Sequence, residues 1–224
     1  MSRLVKKLSA AAAAGLLWTA ATGAAVIYDN GAGTLTAAGL SDSDPTPPIQ
    51  FLADNFVLQQ GASTITDIHW TGAYAFSNTP DPTDSFTIQV FTDSAGLPAV
   101  SPLATFSVGN AVNRTDTGID IGGSDLFSYS TNISPLTLTA GTTYWLSIFN
   151  NTTADTDDDW FWGLNQPVGS LALRQDQTSA WSGNSGTLDF QLTNDAVPVP
   201  EPTTLALLSI GLVGLGFSRR NRKH

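Results

Sequence analysis

The amino-acid sequence predicts an all-β fold, an antiparallel β-sandwich of the jelly-roll type with an apolar helix at each end of the chain. Three observations support this prediction. Residues 26–197 contain no Lys and no Glu and are rich in Thr, Ser, Gly and Asp, so strong helix formers are scarce. Apolar residues alternate with polar ones in short runs. Clusters of Gly, Pro, Asn and Asp separate these runs as turns do.

Residues 1–25 have the pattern of a signal peptide. Basic residues near Met1 precede an apolar run at positions 8–21, and small residues follow that run. The apolar run is too short for a comfortable membrane span. We therefore expect a helix that directs export and that a signal peptidase removes after Ala24 or Ala25.

The predicted strands occupy residues 26–196, which we take as one β-sandwich domain. The clearest strand is 86–90, where apolar residues at every second position share one face. Gly61 and Gly72 are expected at turns or bulges. The predicted strands are 26–28, 51–59, 65–76, 86–90, 103–108, 126–133, 136–138, 144–149, 160–164, 170–174 and 187–192.

The charge of the chain is unevenly distributed. Residues 26–197 hold two arginines and eighteen aspartates, a formal charge of −16, whereas the whole chain has a net charge of −10. Such a surface repels nucleic acid and other polyanions unless divalent cations bridge the gap, so nucleic-acid binding is excluded. Cysteine is absent, so an exported domain must be held together without disulfides.

Residues 197–224 contain three parts of different character. A proline-rich stretch must be extended, because proline fixes φ and lacks a backbone N–H. An uncharged apolar run at 203–218 follows, about 24 Å long as a helix against roughly 30 Å of bilayer core. We expect it to span the membrane by bilayer thinning and snorkelling of the basic tail, with a helix packed on the domain as the alternative. The residues that define this pattern are Val199, Pro200, Glu201, Pro202, Arg219 and Arg220.

This order of segments resembles the PEP-CTERM sorting signal of Gram-negative bacteria. The resemblance implies that an exosortase, a membrane-embedded transpeptidase-like protease, recognises the segment and removes the helix. The protein would then be held in the inner membrane only transiently, before it passes to the envelope surface or the extracellular matrix. A second resemblance, carried by residues 53–56, 65–70 and 136–146, is to secreted β-sandwich domains with interchangeable anchors. Those domains mostly have no assigned activity.

Alternating aspartates at Asp155, Asp157 and Asp159 form the best candidate for a metal site. They supply hard oxygen ligands, which suit calcium, on a predicted loop. Trp160 and Gln166 stand where an EF-hand needs Gly and Glu, so this is not an EF-hand. The alternative is a solvated acidic loop without metal, and no other cofactor is expected.

Trp160 and Trp162 follow the acidic loop and share one face of a predicted strand. Exposed aromatic rings of this kind stack on sugar rings in carbohydrate-binding modules, with nearby Asp and Asn binding the hydroxyl groups. The alternative is that both side chains fill the core between the sheets. The period-two pattern leaves both possibilities open.

No catalytic constellation is identified. His69 is the only histidine of the domain, and with no cysteine a zinc site of the usual kind is disfavoured. We therefore expect an exported, non-enzymatic protein of the cell surface or the exopolysaccharide matrix, with exopolysaccharide as a possible partner. Two alternatives stay open: a carbohydrate-binding β-sandwich module, and a matrix polysaccharide hydrolase that uses paired aspartates.

Overall fold

Antiparallel strands, joined by turns and irregular connections, make up most of the described backbone. A computed structural model of the protein describes residues 24–31, 35, 37–45, 48–75, 83–154 and 158–194, and no helix occurs among them. The all-β class is thus confirmed, whereas the two predicted terminal helices lie outside the described residues. The strands are β1 (Ala25–Asp29), β2 (Ala37–Leu40), β3 (Phe51–Val57), β4 (Thr64–Ala75), β5 (Phe86–Ser94), β6 (Leu97–Pro98), β7 (Ala104–Gly109), β8 (Asn113–Ile121), β9 (Ser124–Thr137), β10 (Thr143–Phe149), β11 (Asp159–Arg174), β12 (Ser182–Leu188) and β13 (Phe190–Asn194).

The strands follow one continuous hydrogen-bonded path in the order β1-β13-β4-β11-β3-β10-β5-β6. Five further pairings branch from it: β2 and β12 pair with β11, β7 pairs with β5, β9 pairs with β4, and β8 pairs with β9. Each of these ladders between strands is antiparallel. This order does not establish the jelly-roll connectivity, which stays a prediction.

Aromatic contacts show that the sheet folds over on itself. Phe86 of β5 packs edge-on against Trp70 of β4, with ring centroids 5.3 Å apart, although β4 and β5 are not paired. Phe56 of β3 contacts Phe190 of β13 in the same way at 6.3 Å. The strands therefore form two layers around one apolar core, an arrangement like a β-sandwich.

The long strand β11 connects the two layers. Its first part, Asp159–Trp162, pairs with β4, whereas its last part, Leu171–Arg174, pairs with β3. The pairing of β11 with β12 is irregular between Asn165 and Ser170. Such an irregularity bends a strand, which lets the same backbone enter both layers.

The layer formed by β3, β10 and β5 is buried on both faces. One face lines the main core, and the other carries a second cluster that includes Phe51, Phe91, Trp145 and Phe149. Trp181 is also a buried member of this cluster, with its ring centroid 5.4 Å from that of Phe91. Burial on both faces explains the nearly continuous apolar sequence of β10.

The two ends of the described domain lie next to each other. Ala25 of β1 pairs with Asn194 of β13, so the first and last strands are neighbours in one ladder. Tyr28 holds β1 in place, because its ring stacks on that of Phe190 at 5.5 Å. The first described strand therefore begins beside the residue where the last one ends.

Gly61 and Gly72 have different roles in the backbone. Gly61 lies in a turn with φ of 90°, as predicted for a turn position. Gly72 lies inside β4, which corrects the prediction of a turn or bulge there. A Cβ atom at Gly72 would stand 2.5–2.7 Å from three atoms of the Trp160 indole. The glycine is therefore needed so that the Trp160 ring can lie flat against the backbone of β4.

We expect Gly72→Ala to lower the free energy of unfolding by about 1–3 kcal/mol, because the added methyl group overpacks the core. Chemical denaturation followed by tryptophan fluorescence measures this change. Gly183→Ala is the matched control: a Cβ there meets only a Leu97 methyl at 3.8 Å. Equal stability of the two variants would contradict the packing role of Gly72.

Candidate functional site

Buried carboxylates are the most unusual chemical feature of the domain. Burying a carboxylate is costly unless hydrogen bonds replace the lost water. In this domain most of the donors that replace water are backbone N–H groups and hydroxyl groups. The buried aspartates are Asp42, Asp44, Asp54, Asp67, Asp84, Asp158 and Asp189.

Asp42 joins three separate parts of the chain. Its carboxylate accepts hydrogen bonds from the backbone N–H groups of Asp44 at 2.8 Å, of Trp160 at 2.9 Å and of Thr152 at 3.3 Å. The Thr152 hydroxyl donates a further bond at 3.0 Å. Burial raises the pKa of Asp42, and these hydrogen bonds oppose the rise. The side chain thus fixes two loops to the start of β11.

Asp54 has the same role on the other side of the core. It accepts from the backbone N–H groups of Leu188 and Asn55, both at 2.7 Å, and from the side-chain amide of Asn30 at 2.8 Å. Burial raises the pKa of Asp54 to about 6. Because Asn30 follows β1 and Leu188 ends β12, this carboxylate ties both strands to β3.

Asp84 is the centre of a side-chain network. The Tyr74 hydroxyl donates to its carboxylate, and Arg114 forms a salt bridge with it at 3.2 Å. The amide of Asn150 donates to the Tyr74 oxygen at 3.1 Å and to Asp84 at 3.4 Å. Burial raises the pKa values of both Asp84 and Tyr74. A cavity beside Tyr74 and Asn150 has about 10 Å³, which is too small for an organic ligand.

The predicted calcium loop is described only in part. Asp155 and Asp157 lie outside the described residues. Asp159 is half-buried, and its pKa is raised by burial and by the nearby carboxylate of Asp44. In the part of the chain that the structure describes, no group of three or more His, Cys, Asp or Glu side chains is placed to hold a metal ion. The calcium site stays a prediction.

Trp160 and Trp162 lie in the core. Each has an exposed fraction of 0%. The Trp160 ring packs against Phe86, and the indole N–H of Trp162 donates to the backbone carbonyl of Asp189 at 2.8 Å. A ring that stacks on a sugar must present a free face, and neither does. The alternative of a displayed sugar-binding pair is therefore corrected in favour of the core.

Neither arginine of the domain is freely exposed. Arg114 is engaged by Asp84. Arg174 is buried with its guanidinium 4.3 Å from the Trp181 ring centroid, and it donates to the Val100 carbonyl at 3.1 Å. Burial lowers the pKa of Arg174. The exposed charged side chains of the described residues are consequently all aspartates, namely Asp29, Asp93, Asp116, Asp120 and Asp176.

Several surface depressions among the described residues are large enough for part of a ligand, including one of about 530 Å³ beside β1. Two of them involve β4. One, of about 670 Å³, lies between β2, the end of β4 and the β8–β9 turn, and is lined mainly by small apolar residues with Tyr74 and Phe161. The other, of about 280 Å³, lies on the outer face of β4 around His69. Sequence reasoning placed His69 on a strand but did not identify this groove. No local sequence pattern indicated it, because its lining residues come from β4, β8, β9 and β13.

The described residues form an acidic all-β domain, and a segment of different character follows it in the sequence. A family model for the PEP-CTERM protein-sorting motif matches residues 198–223. The match includes the residues that the sequence pattern singled out, from Val199 to Arg220, so the resemblance is confirmed. A comparison with curated proteins found no match.

The PEP-CTERM motif defines how the protein is delivered. It marks an exported protein that an exosortase sorts towards the envelope surface, and the exosortase is the processing partner. The motif lies outside the described residues, as do residues 1–23 of the predicted signal peptide. Within the described ranges, no helix has the length and apolar character of a membrane span.

We expect acidification from pH 7 to pH 5 to stabilise the folded domain. The folded pKa of Asp54, about 6, is above its ordinary value of 3.8, so the folded state binds this proton more tightly than the unfolded state. The resulting stability is complete below the unfolded pKa and is lost as pH rises through the folded pKa. Asp54 alone should add about 1 kcal/mol to the free energy of unfolding over this interval. Urea denaturation at several pH values measures the gain.

Asp54→Asn tests the assignment, because an amide cannot titrate in this range. The variant should lose about the Asp54 share of the pH dependence, whatever its stability at pH 7. Asp120→Asn, at an exposed position, should keep the full dependence. The same slope in both variants would show that Asp54 is not the group responsible.

Proposed function

We propose that this chain is a non-enzymatic component of the cell surface or the exopolysaccharide matrix, which works by interaction through its acidic β domain. The PEP-CTERM motif supports delivery to that location. The buried aspartates support a structural role for carboxylates, since the oxygen atoms of Asp42 and Asp54 accept hydrogen bonds from backbone N–H groups. Carboxylates held in this way serve the fold rather than a reaction.

The distribution of charge is the observation that carries this proposal. Both arginines are engaged inside the domain, so the described surface carries aspartates without neighbouring cations. In a matrix, such a surface stays hydrated, repels acidic polymers and attracts cations. Contacts with acidic matrix polymers would then pass through divalent cations.

Calcium is the cation that we propose for this role. The loop around Asp159 supplies several aspartates in sequence, and the charges of Asp44 and Asp159 lie close enough to raise the pKa of Asp159. A divalent cation at the loop would relieve this repulsion and stabilise the folded state by mass action.

Deleting residues 198–223 should prevent delivery to the cell surface, because the sorting enzyme then has no substrate segment. Fractionation of the producing cells and surface labelling measure the location of the protein. Deletion of His224 alone, which leaves the matched motif complete, is the control. Surface delivery of the truncated protein would contradict the proposal, and so would release of reducing ends from the producer's own polysaccharide by the purified protein.

Calcium at millimolar concentration should raise the melting temperature by about 2–4 °C, the shift that about 1 kcal/mol produces in a domain of this size. Differential scanning calorimetry measures it, with magnesium as the comparison ion. Asp159→Asn should remove most of the shift, and Asp120→Asn should keep it. A melting temperature that is independent of calcium would exclude calcium binding.

A further inference from the structure

The outer face of β13, β4, β9 and β8 carries a row of polar side chains that crosses four strands. His69 of β4 lies opposite Gln191 on one side and Ser130 on the other, and Ser130 lies opposite Asn113. Residues directly opposite in antiparallel strands share a face, so the four side chains form one row. Neighbouring members are about 4.8 Å apart, the spacing between strands.

A second polar row runs parallel to the first. Thr71 lies opposite Ser128, and Ser128 lies opposite Thr115. Asp189 extends the row beyond Thr71, whose hydroxyl donates to the Asp189 carboxylate at 2.5 Å. Because the second row is two residues further along each strand, the rows are about 7 Å apart. We call the two rows together the polar double row.

The polar double row lines the groove of about 280 Å³ around His69. Its backbone is held firmly from below, because the alternate residues Trp70, Tyr129 and Phe190 are buried in the core. Trp70 and Tyr129 stack with ring centroids 5.5 Å apart. The backbone that carries the polar side chains is therefore rigid, which lowers the entropy cost of binding a ligand.

The donors in the groove are only partly used. Within the described residues, no hydrogen bond to the imidazole of His69 is formed, although the ring is at the centre of the first row. The Asn113 amide reaches Ser130 only at 3.4 Å. Gln191 lines the groove and donates to Asp29 at the rim at 3.1 Å, and its side-chain carbonyl oxygen is an acceptor. The groove thus offers hydrogen-bond donors and acceptors that have no partner among the described residues, and they repeat at the spacing between neighbouring strands.

We propose that the polar double row binds a neutral polysaccharide, with the chain of sugars lying across the four strands. Hydroxyl, amide and imidazole groups donate to and accept from sugar hydroxyls, and the strand spacing is close to the length of one pyranose residue. Asp29 and Asp189 at one end, and the absence of an exposed cation among the described residues, exclude an acidic polymer. This inference rests on the proposed function, since delivery to the matrix brings the domain into contact with such polymers.

Binding is tested with the full-length protein, purified in detergent, on immobilised polymers. The probes are cellulose, a β-1,3-glucan and mannan as neutral polymers, and polygalacturonate as the acidic polymer. The buffer contains EDTA, so that divalent cations cannot link the acidic surface to an acidic polymer. We expect retention on at least one neutral polymer and none on polygalacturonate. Release from all three neutral polymers, or equal retention on polygalacturonate, would overturn the proposal.

The double variant His69→Ala, Ser130→Ala removes the centre of the first row. It should weaken binding to the retained polymer at least tenfold. The matched control is Thr105→Ala, Ser107→Ala, which changes two exposed polar residues of β7, at the edge of the other layer, and should leave binding unchanged. Thermal melting shows whether each variant is folded, and single variants replace a double variant that is not. Equal binding by the wild type and the His69 variants would overturn the assignment.

Surface delivery of the same variants separates the two proposals. A His69 variant that reaches the cell surface but no longer binds the polymer supports both. A wild-type protein that reaches the surface and binds no neutral polymer overturns the groove and leaves the proposed surface role intact. A protein that never reaches the surface overturns the proposed function.

Discussion

The described domain depends on carboxylates that are buried against backbone N–H groups. Without cysteine or lysine, the domain has no disulfides and only two basic side chains, Arg114 and Arg174, to join distant segments. Asp42 and Asp54 make most of these connections, because their oxygen atoms accept hydrogen bonds from N–H groups more than a hundred residues away in sequence. Each such carboxylate satisfies donors that the strand ladders leave unpaired. The acidity of the chain thus stabilises the interior and also sets the character of the surface.

Much of the strand pattern could be predicted from the sequence, and the exceptions have physical causes. Strands with alternating apolar residues, such as β5, were predicted because one of their faces is buried. Strand β8 was missed because most of its side chains face solvent and no apolar alternation marks it. Strands β9 and β11 were each predicted as two pieces. The pairing of each strand is irregular where the two predicted pieces meet. The alternation of buried and exposed side chains is interrupted there, although the strand itself is continuous.

The site was less predictable than the fold. The two-residue repeat of a β-strand showed that Trp160 and Trp162 share a face. Whether that face points into the core depends on the packing of the whole sheet, and it does. The buried aspartates look like solvated residues in sequence, because their partners are backbone groups far along the chain. The groove around His69 needs residues from four strands, so no local pattern could identify it. The sorting motif was found from sequence because its three parts are contiguous.

The pairing of Ala25 with Asn194 has a mechanical consequence. In an antiparallel ladder whose outer ends coincide, tension applied between those two ends loads one pair of hydrogen bonds at a time, as in a zipper. Such a geometry yields at low force. Tension applied to Asn194 along the axis of β13 and opposed at β4 instead loads the ladder between these two strands along its length, in shear. A ladder loaded in shear shares the force among all of its hydrogen bonds, so a pull on Asn194 against β4 is opposed by more bonds at once than a pull between Ala25 and Asn194.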